Sequence, residues 1–297
     1  MTEKDYLSLF AKSFSWAGFF LPKKIYYNCS KLYSFCRILD DLVDEKTNLE
    51  TRVERFKWIK DIYQKSYDQV KDKKSTNQEE KEYELIVNDM IIIADSNNIK
   101  KIILDDLIDG VESDLKKKVY LKSVKELLVY SYKVAGAVGL MMAKILNVND
   151  TRSLKGAIDL GIAMQLTNIA RDVIEDKKMN RQYIKSDFEN IEATLKLADM
   201  FYESSFTSIK NIPFKYRFAI IVARRVYRQI GRKILNKGNM ENYEKSGKIY
   251  VNNFGKILQT FLSLFDLMVL FLKNIEPHQR QREHEIISED VNLDERI

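Results

Sequence analysis

The sequence predicts an all-α fold, on three observations. Turn formers are scarce, with 10 glycines and 3 prolines in 297 residues, well under the average usage of about 7% and 5%. Apolar residues recur every three or four positions almost throughout, the period of one helix face. No linker rich in Pro, Gly or Ser and no repeat of fixed period interrupts that pattern. The chain therefore reads as one domain over residues 1–275, closed by a polar tail over 276–297 that looks poorly folded.

Taken in order, Pro22 opens the first long helix, which continues to about Glu45. Helices follow near 49–69, 79–96 and 99–117, with the polar run Lys71 to Glu80 as an exposed loop. Ser123 with Glu126 makes a capping box for a helix reaching Ile145. Asp150 or Thr151 caps the next, which runs to about Lys177. The last three cover 187–209, 212–237 with Pro213 in the first turn, and 241–274.

Composition excludes several kinds of chemistry. Cys29 and Cys36 sit seven apart on one helix, about 10 Å along its axis, too far to bridge. That fits a reducing, cytoplasmic setting. His278 and His284 are the only histidines and both fall in the tail, which removes histidine triads and histidine metal cages from the folded site. The net charge of +6 suits an anionic ligand or an anionic membrane surface. No recognition helix or base-stacking pattern accompanies the scattered basic residues, so nucleic acid is not an expected partner. The N-terminus lacks the pattern of a signal peptide. The most apolar stretch, Ile257 to Leu272, has 16 residues, short of the roughly 20 needed to span a bilayer. It reads as a candidate surface for peripheral membrane contact, with packing against the core as the competing reading.

Two acidic clusters carry the chemistry. Asp40-Asp41-Leu42-Val43-Asp44 closes the first long helix, and Asp172-Val173-Ile174-Glu175-Asp176 closes the helix from 151. In each, the outer aspartates are four apart and share a face, about 6 Å apart along the axis. One such pair carries little weight, since 43 acidic residues in a chain this long give about six such pairs by chance. The upstream residues carry more. Tyr26, Cys29, Tyr33, Arg37, Asp40 and Asp44 step by three and four along one stripe. Ala157, Gly161, Gln165, Asn168, Asp172 and Asp176 do the same. The acids thus continue an inward-facing stripe, where carboxylates are costly unless paired or metal-bound. Oxygen donors so arranged suit a hard cation that keeps room for a substrate phosphate. Small and apolar residues below them, Ala157, Gly161, Val134, Val138 and Met141, suit the tail of a long amphiphile. Close helix packing competes as the explanation of the small ones.

Lys12-Ser13-Phe14, Tyr33-x-x-x-Arg37-x-x-Asp40-Asp41-x-x-Asp44, Val134-Ala135-Gly136 and Gln165-Leu166-Thr167-Asn168-Ile169-Ala170-Arg171-Asp172 together resemble the squalene/phytoene synthase family. Glu175-Asp176 through Arg181 and Tyr183 also matches, as does Leu107-Ile108-Asp109-Gly110-Val111-Glu112 with Asp114-Leu115. The resemblance extends from about residue 8 to 257, and the run from Tyr130 to Ala143 is similar to the phytoene synthase branch. Two features depart from the family pattern. Ile184-Lys185 replaces a frequent proline, and the region of Lys248, Tyr250 and Lys256 aligns loosely.

The resemblance implies a single-domain isoprenoid synthase helical bundle with a central cavity for two allylic diphosphates. It implies Mg²⁺, with Mn²⁺ as a substitute, on Asp40, Asp44, Asn168, Asp172 and Asp176, and no nicotinamide cofactor. Arg37, Arg171, Lys12 and Arg181 would offset the remaining negative charge. The aromatic faces of Tyr33 and Phe14 would stabilise carbocations, and Tyr130 would orient diphosphate or assist the final proton loss. For these three, core packing is the competing role. Ser13, Val134, Val138, Ala157, Gly161 and Gln165 join the substrate-binding set, with Tyr183 and Tyr250. The implied reaction is head-to-head condensation of two geranylgeranyl diphosphates. The alternative within the family is a dehydrosqualene or presqualene diphosphate synthase using farnesyl diphosphate. The alternative outside enzymology is a lipid-binding or assembly factor, which the two intact acidic clusters disfavour.

Overall fold

The computed structural model describes residues 12–68, 78–272 and 282–297, with side chains of the first two segments from Ser15 and Glu80 onward. The side chains of Lys12, Ser13 and Phe14, the stretch 69–77 and His278 therefore lie outside the described residues.

A short helix α1 (Lys12–Gly18) leads into α2 (Lys23–Asp44), with Pro22 one position before the helix rather than inside its first turn. There follow α3 (Leu49–Tyr67), α4 (Gln78–Ser96) and α5 (Lys101–Glu112). Asn48 caps α3 by accepting from the Thr51 amide. The helix expected over 99–117 stops at Glu112, and Ser113 Oγ donates to the Gly110 carbonyl.

The span expected from Ser123 to Ile145 is α6 (Val124–Ser131), a π turn (Tyr132–Gly136) and α7 (Ala137–Ile145). Ser123 accepts from the Glu126 amide, while the Glu126 carboxylate reaches the Lys122 amide, one residue before the cap. Asp150 caps α8 (Thr151–Lys178). This helix is the axis of the bundle. Its buried residues occupy every face, the pattern of a helix surrounded by others.

Two pairs of glycines and backbones let the neighbours approach α8. A β-carbon on Gly161 would stand 2.2 Å from the Ala135 carbonyl oxygen, and one on Gly139 2.2 Å from that of Ala157. The π turn and α7 thus cross α8 backbone to backbone. Gly161 is small for packing, whatever else it does.

Around α8 stand α9 (Phe188–Phe206), a 3-10 turn (Thr207–Asn211) and α10 (Phe214–Leu235), with Pro213 just before the last. The single helix expected over 241–274 is two, α11 (Met240–Lys245) and α12 (Asn253–Leu272). They are broken at Gly247, whose φ of +60° is left-handed. One small sheet went unforeseen. Strand β1 (Val119–Tyr120) pairs in parallel with β2 (Arg181–Gln182), Val119 opposite Arg181.

The tail is folded, which corrects the sequence expectation. Helices α13 (Arg282–Ser288) and α14 (Leu293–Arg296) bury Ile287, Val291 and Leu293 against the bundle. His284 is buried, its Nε2 2.8 Å from Asp159 Oδ1 on α8. Arg296 grips the buried Asp106 on α5 through two hydrogen bonds of 2.9 and 3.2 Å.

Helix α12 also differs from expectation. It begins at Asn253, so its 20 residues are long and apolar enough to cross a bilayer. Its burial is inverted, with Lys256, Gln259 and Ser263 inside and its phenylalanines outside.

Candidate functional site

A cavity of about 1440 Å³, counting the open space at its mouth, runs between α2, α8, α10 and the π turn. Helix α2 contributes Cys29, Leu32, Tyr33 and Cys36, and the α6–α7 span contributes Val134, Val138 and Met142. Helix α8 lines it from Ser153 through Ala157, Gly161 and Gln165 to Asn168. Asp172 and Asp176 follow one and two turns beyond, so the wall from Ser153 to Asp172 is about 28 Å long. Cys29, buried in the core, and the half-buried Cys36 both border the cavity as part of that apolar wall, and neither forms a disulfide.

The acidic clusters meet at one end. Asp40 keeps contact with solvent yet is enclosed by protein, as a side chain facing a lumen must be. Its carboxyl is pushed up to about 7, first by burial and then by the charge of Asp44, with Arg37 opposing and Asp114 and Asp41 adding. Asp176 is also pushed up to about 7, by burial and then by Asp172, with Arg181 opposing and Asp114 and Asp44 adding. Charges from α2, α8 and the loop after α5 therefore converge on one space.

Basic side chains interleave with these acids. Arg181 donates to Asp44 at 2.6 Å, and Arg171 Nε donates to Asp172 at 2.8 Å. Arg37 pairs with Asp41 one turn on. Lys248 lies 3.4 Å from Asp172, bringing the loosely aligned C-terminal region to the site. Tyr243 donates to the Arg171 carbonyl at 2.6 Å and fixes the backbone beneath that cluster.

Tyr130 and Tyr183 are not in the cavity wall. Their rings stack with centroids 4.8 Å apart, and both hydroxyls donate to Asp114 Oδ2, at 2.8 and 2.9 Å. Tyr130, expected at the substrate, is instead part of this buried trio, whose Asp114 is near enough to Arg181 to feel its charge. Tyr250 is likewise displaced. Its side chain is 69% exposed and outside the lining, because the break after α11 turns this segment over the surface. Tyr33 does line the cavity, and burial pushes its hydroxyl up to about 12, so it presents a neutral ring. Tyr227 on α10 does the same and went unread, although Ala219, Ala223 and Tyr227 form a four-residue stripe.

The donor set fits a hard divalent cation. Every acid at the site offers oxygen, and Asn168 Oδ1 and Asp114 Oδ1 are buried with no hydrogen-bond partner. Among the described residues no three acidic, thiol or imidazole groups form a ready-made cage.

An α-helical bundle around an apolar cavity, with facing aspartate clusters at one end, defines the isoprenoid synthase class. Solved structures agree on the fold. A dehydrosqualene synthase bound to a ligand matches with a TM-score of 0.68 at 24% identity, covering 89% of this chain and 94% of that one. A squalene synthase of Alicyclobacillus acidocaldarius matches with a TM-score of 0.62 at 17% identity, covering 76% and 89%. In sequence, the squalene/phytoene synthase family profile matches residues 8–188. The chain belongs to the squalene/phytoene synthase family. Its relatives include the 15-cis-phytoene synthase of a Paracoccus species, 30% identical over 263 residues, covering 82% of this chain and 84% of that protein. That of Pantoea ananas is 28% identical over 257 residues, covering 77% and 80%.

Proposed function

We propose that this chain is a phytoene synthase, joining two geranylgeranyl diphosphates head to head through prephytoene diphosphate with release of diphosphate. The observation that carries this is the α8 stripe, an apolar cavity wall that ends in carboxylates. Likeness to phytoene synthases over three quarters of the chain supports the branch.

Asp40, Asp44, Asn168, Asp172 and Asp176 would hold Mg²⁺, or Mn²⁺ in its place, which neutralises diphosphate and makes it a leaving group. The chain's own residues do the rest. Arg171, Arg181, Lys248 and Arg37 stand among the acids as cations for the remaining phosphate charge. Tyr33 and Tyr227 offer neutral ring faces to a carbocation in the wall. Val134, Val138, Met142 and Met164 exclude the water that would quench it to an alcohol. The trio of Tyr130, Tyr183 and Asp114 holds Arg181 in register with Asp44.

The test is turnover of purified protein on geranylgeranyl and, separately, farnesyl diphosphate with Mg²⁺. Phytoene from the former, abolished by chelator, is the expected result. A thirty-carbon product alone would reassign the chain to the shorter-chain branch, and silence with both would remove the enzymatic reading.

A further inference from the structure

The C-terminal segment crosses the outside of three elements that surround the cavity. Lys125 on α6 meets Glu289 at 2.9 Å and Asp290 at 2.8 Å, and Lys155 on α8 meets Asp294 at 2.7 Å. Lys100, just ahead of α5, donates to the Glu295 carbonyl at 2.8 Å. These contacts lie at the surface, where each is worth little. Arg296 is different. Its side chain is 12% exposed, and it meets a carboxylate, Asp106, that is itself buried. The hydroxyl of Tyr132 donates to the same carboxylate at 2.9 Å. Tyr132 is fully buried, and burial, then the charge of Asp106, holds its hydroxyl well above the ordinary range, so it stays the donor. Removing one partner of such a buried charge leaves it uncompensated.

Tyr132 is the first residue of the π turn, and its carbonyl accepts from the Ala137 amide five residues on. That geometry is rare within helices and frequently sits at functional sites. Here the neighbours hold it. On one side α8 meets the turn backbone to backbone, Gly161 against Ala135. On another, α5 comes so close that a β-carbon on Gly110 would stand 2.7 Å from Lys133 Cβ. Val134 and Ala135, inside the turn, line the cavity. If the turn relaxed to α-helical register, each would swing by about 100° around the helix axis. The wall would then part where it faces the hydrocarbon.

We propose that Arg296, acting through Asp106 and Tyr132, braces the π turn and so keeps the wall of Val134 and Ala135 closed to water. Arg296 is a positioning residue, since it does not itself line the cavity. Two hydrogen-bonded steps carry its hold from the outer face of the bundle to the lumen. The chemical part of this role rests on the reading of the chain as a synthase that forms carbocations. A cation reached by water gains a C–O bond, the water gives up a proton, and a prenyl alcohol replaces the hydrocarbon.

The test compares the full chain with Arg296→Leu, Arg296→Lys and Tyr132→Phe by amide hydrogen exchange and by product analysis. In Arg296→Leu, exchange over 132–136 should rise at least about tenfold while α9 and α10 keep the protection of the parent. With geranylgeranyl diphosphate and Mg²⁺, the share of product recovered as prenyl alcohol should rise about fivefold. Tyr132→Phe keeps the ring and should move both readings the same way, and Arg296→Lys should restore them in part. Unchanged exchange over 132–136, or exchange raised equally throughout the bundle, would overturn the proposal. So would a faster-exchanging turn with no added alcohol. A parent without turnover on either prenyl diphosphate would remove the synthase reading instead, and exchange alone would then decide whether the brace stands.

Discussion

Arg181 and Asp44 are 137 residues apart in sequence and 2.6 Å apart in space. Their contact ties the last turn of α2 to the strand that follows α8. Both acidic clusters are held to one frame by it. The pair of two-residue strands supplies the frame, since Val119 opposite Arg181 sets the height at which the guanidinium emerges.

Replacing Arg181 with Gln removes the cation that opposes repulsion at Asp176 and Asp114. Asp44 is nearly half exposed, so water screens the pair and the loss should be about 1 kcal/mol. Urea unfolding with and without Mg²⁺ checks this. The loss should be larger without the metal, whereas an equal loss would make the pair merely structural.

The raised carboxyls of Asp40 and Asp176 give a pH dependence of definite sign. Both titrate near 7 in the folded chain, against about 4 when unfolded. Between those values the folded state binds more protons, so their contribution to stability falls as pH rises and levels off above about 7. Thermal melts in chelator should follow that slope, and Asp40→Asn with Asp176→Asn should flatten it. The same double variant should lose at least about a hundredfold in turnover. A steep slope that survives both changes would locate the titration elsewhere.

Chain length can be read at Ala157, which lines the cavity. Ala157→Phe should shift product from mixed substrates toward the shorter prenyl chain by about tenfold or more. Gly161→Ala offers the contrast. Its β-carbon would collide with the Ala135 carbonyl, so it should cost about 1–3 kcal/mol of stability and leave the product ratio near that of the parent. An unchanged ratio in Ala157→Phe would remove that position from length selection.

The C-terminal segment should matter for folding although it lies outside the cavity wall. Asp159 is fully buried and bonded to His284. Removing that partner in His284→Leu leaves the carboxylate under-satisfied and should cost about 3 kcal/mol. Denaturation midpoints measure it. A shift under about 1 kcal/mol would mean that the remaining partners of Asp159, Ser204 among them, suffice.

The site was legible where a helix face carries it. On α2 and α8 the three- and four-residue steps from Tyr33 to Asp44 and from Ala157 to Asp176 project directly into space. Two-residue strands have no such period, so the partner of Arg181 could not be read. The tail hid for a different reason. His284, Ile287 and Val291 form an apolar-facing stripe, but the charges between them dominate the composition. Tyr250 was misplaced because the left-handed turn at Gly247 interrupts what reads as one helix. On α12 the apolar run was plain, but which side it showed depended on Arg225 of α10, which bonds Asp266 and lies far away in sequence.

The crossing at Gly139 and Gly161 has a mechanical consequence. Where two backbones touch with no side chain between them, there is nothing to rotate, compress or slide. That wall of the cavity is a rigid hinge-pin. On the opposite side the wall is built of side chains, with Ala219, Ile220, Ala223 and Tyr227 from α10, and Ile220 and Tyr227 can change rotamer where the backbone crossing cannot.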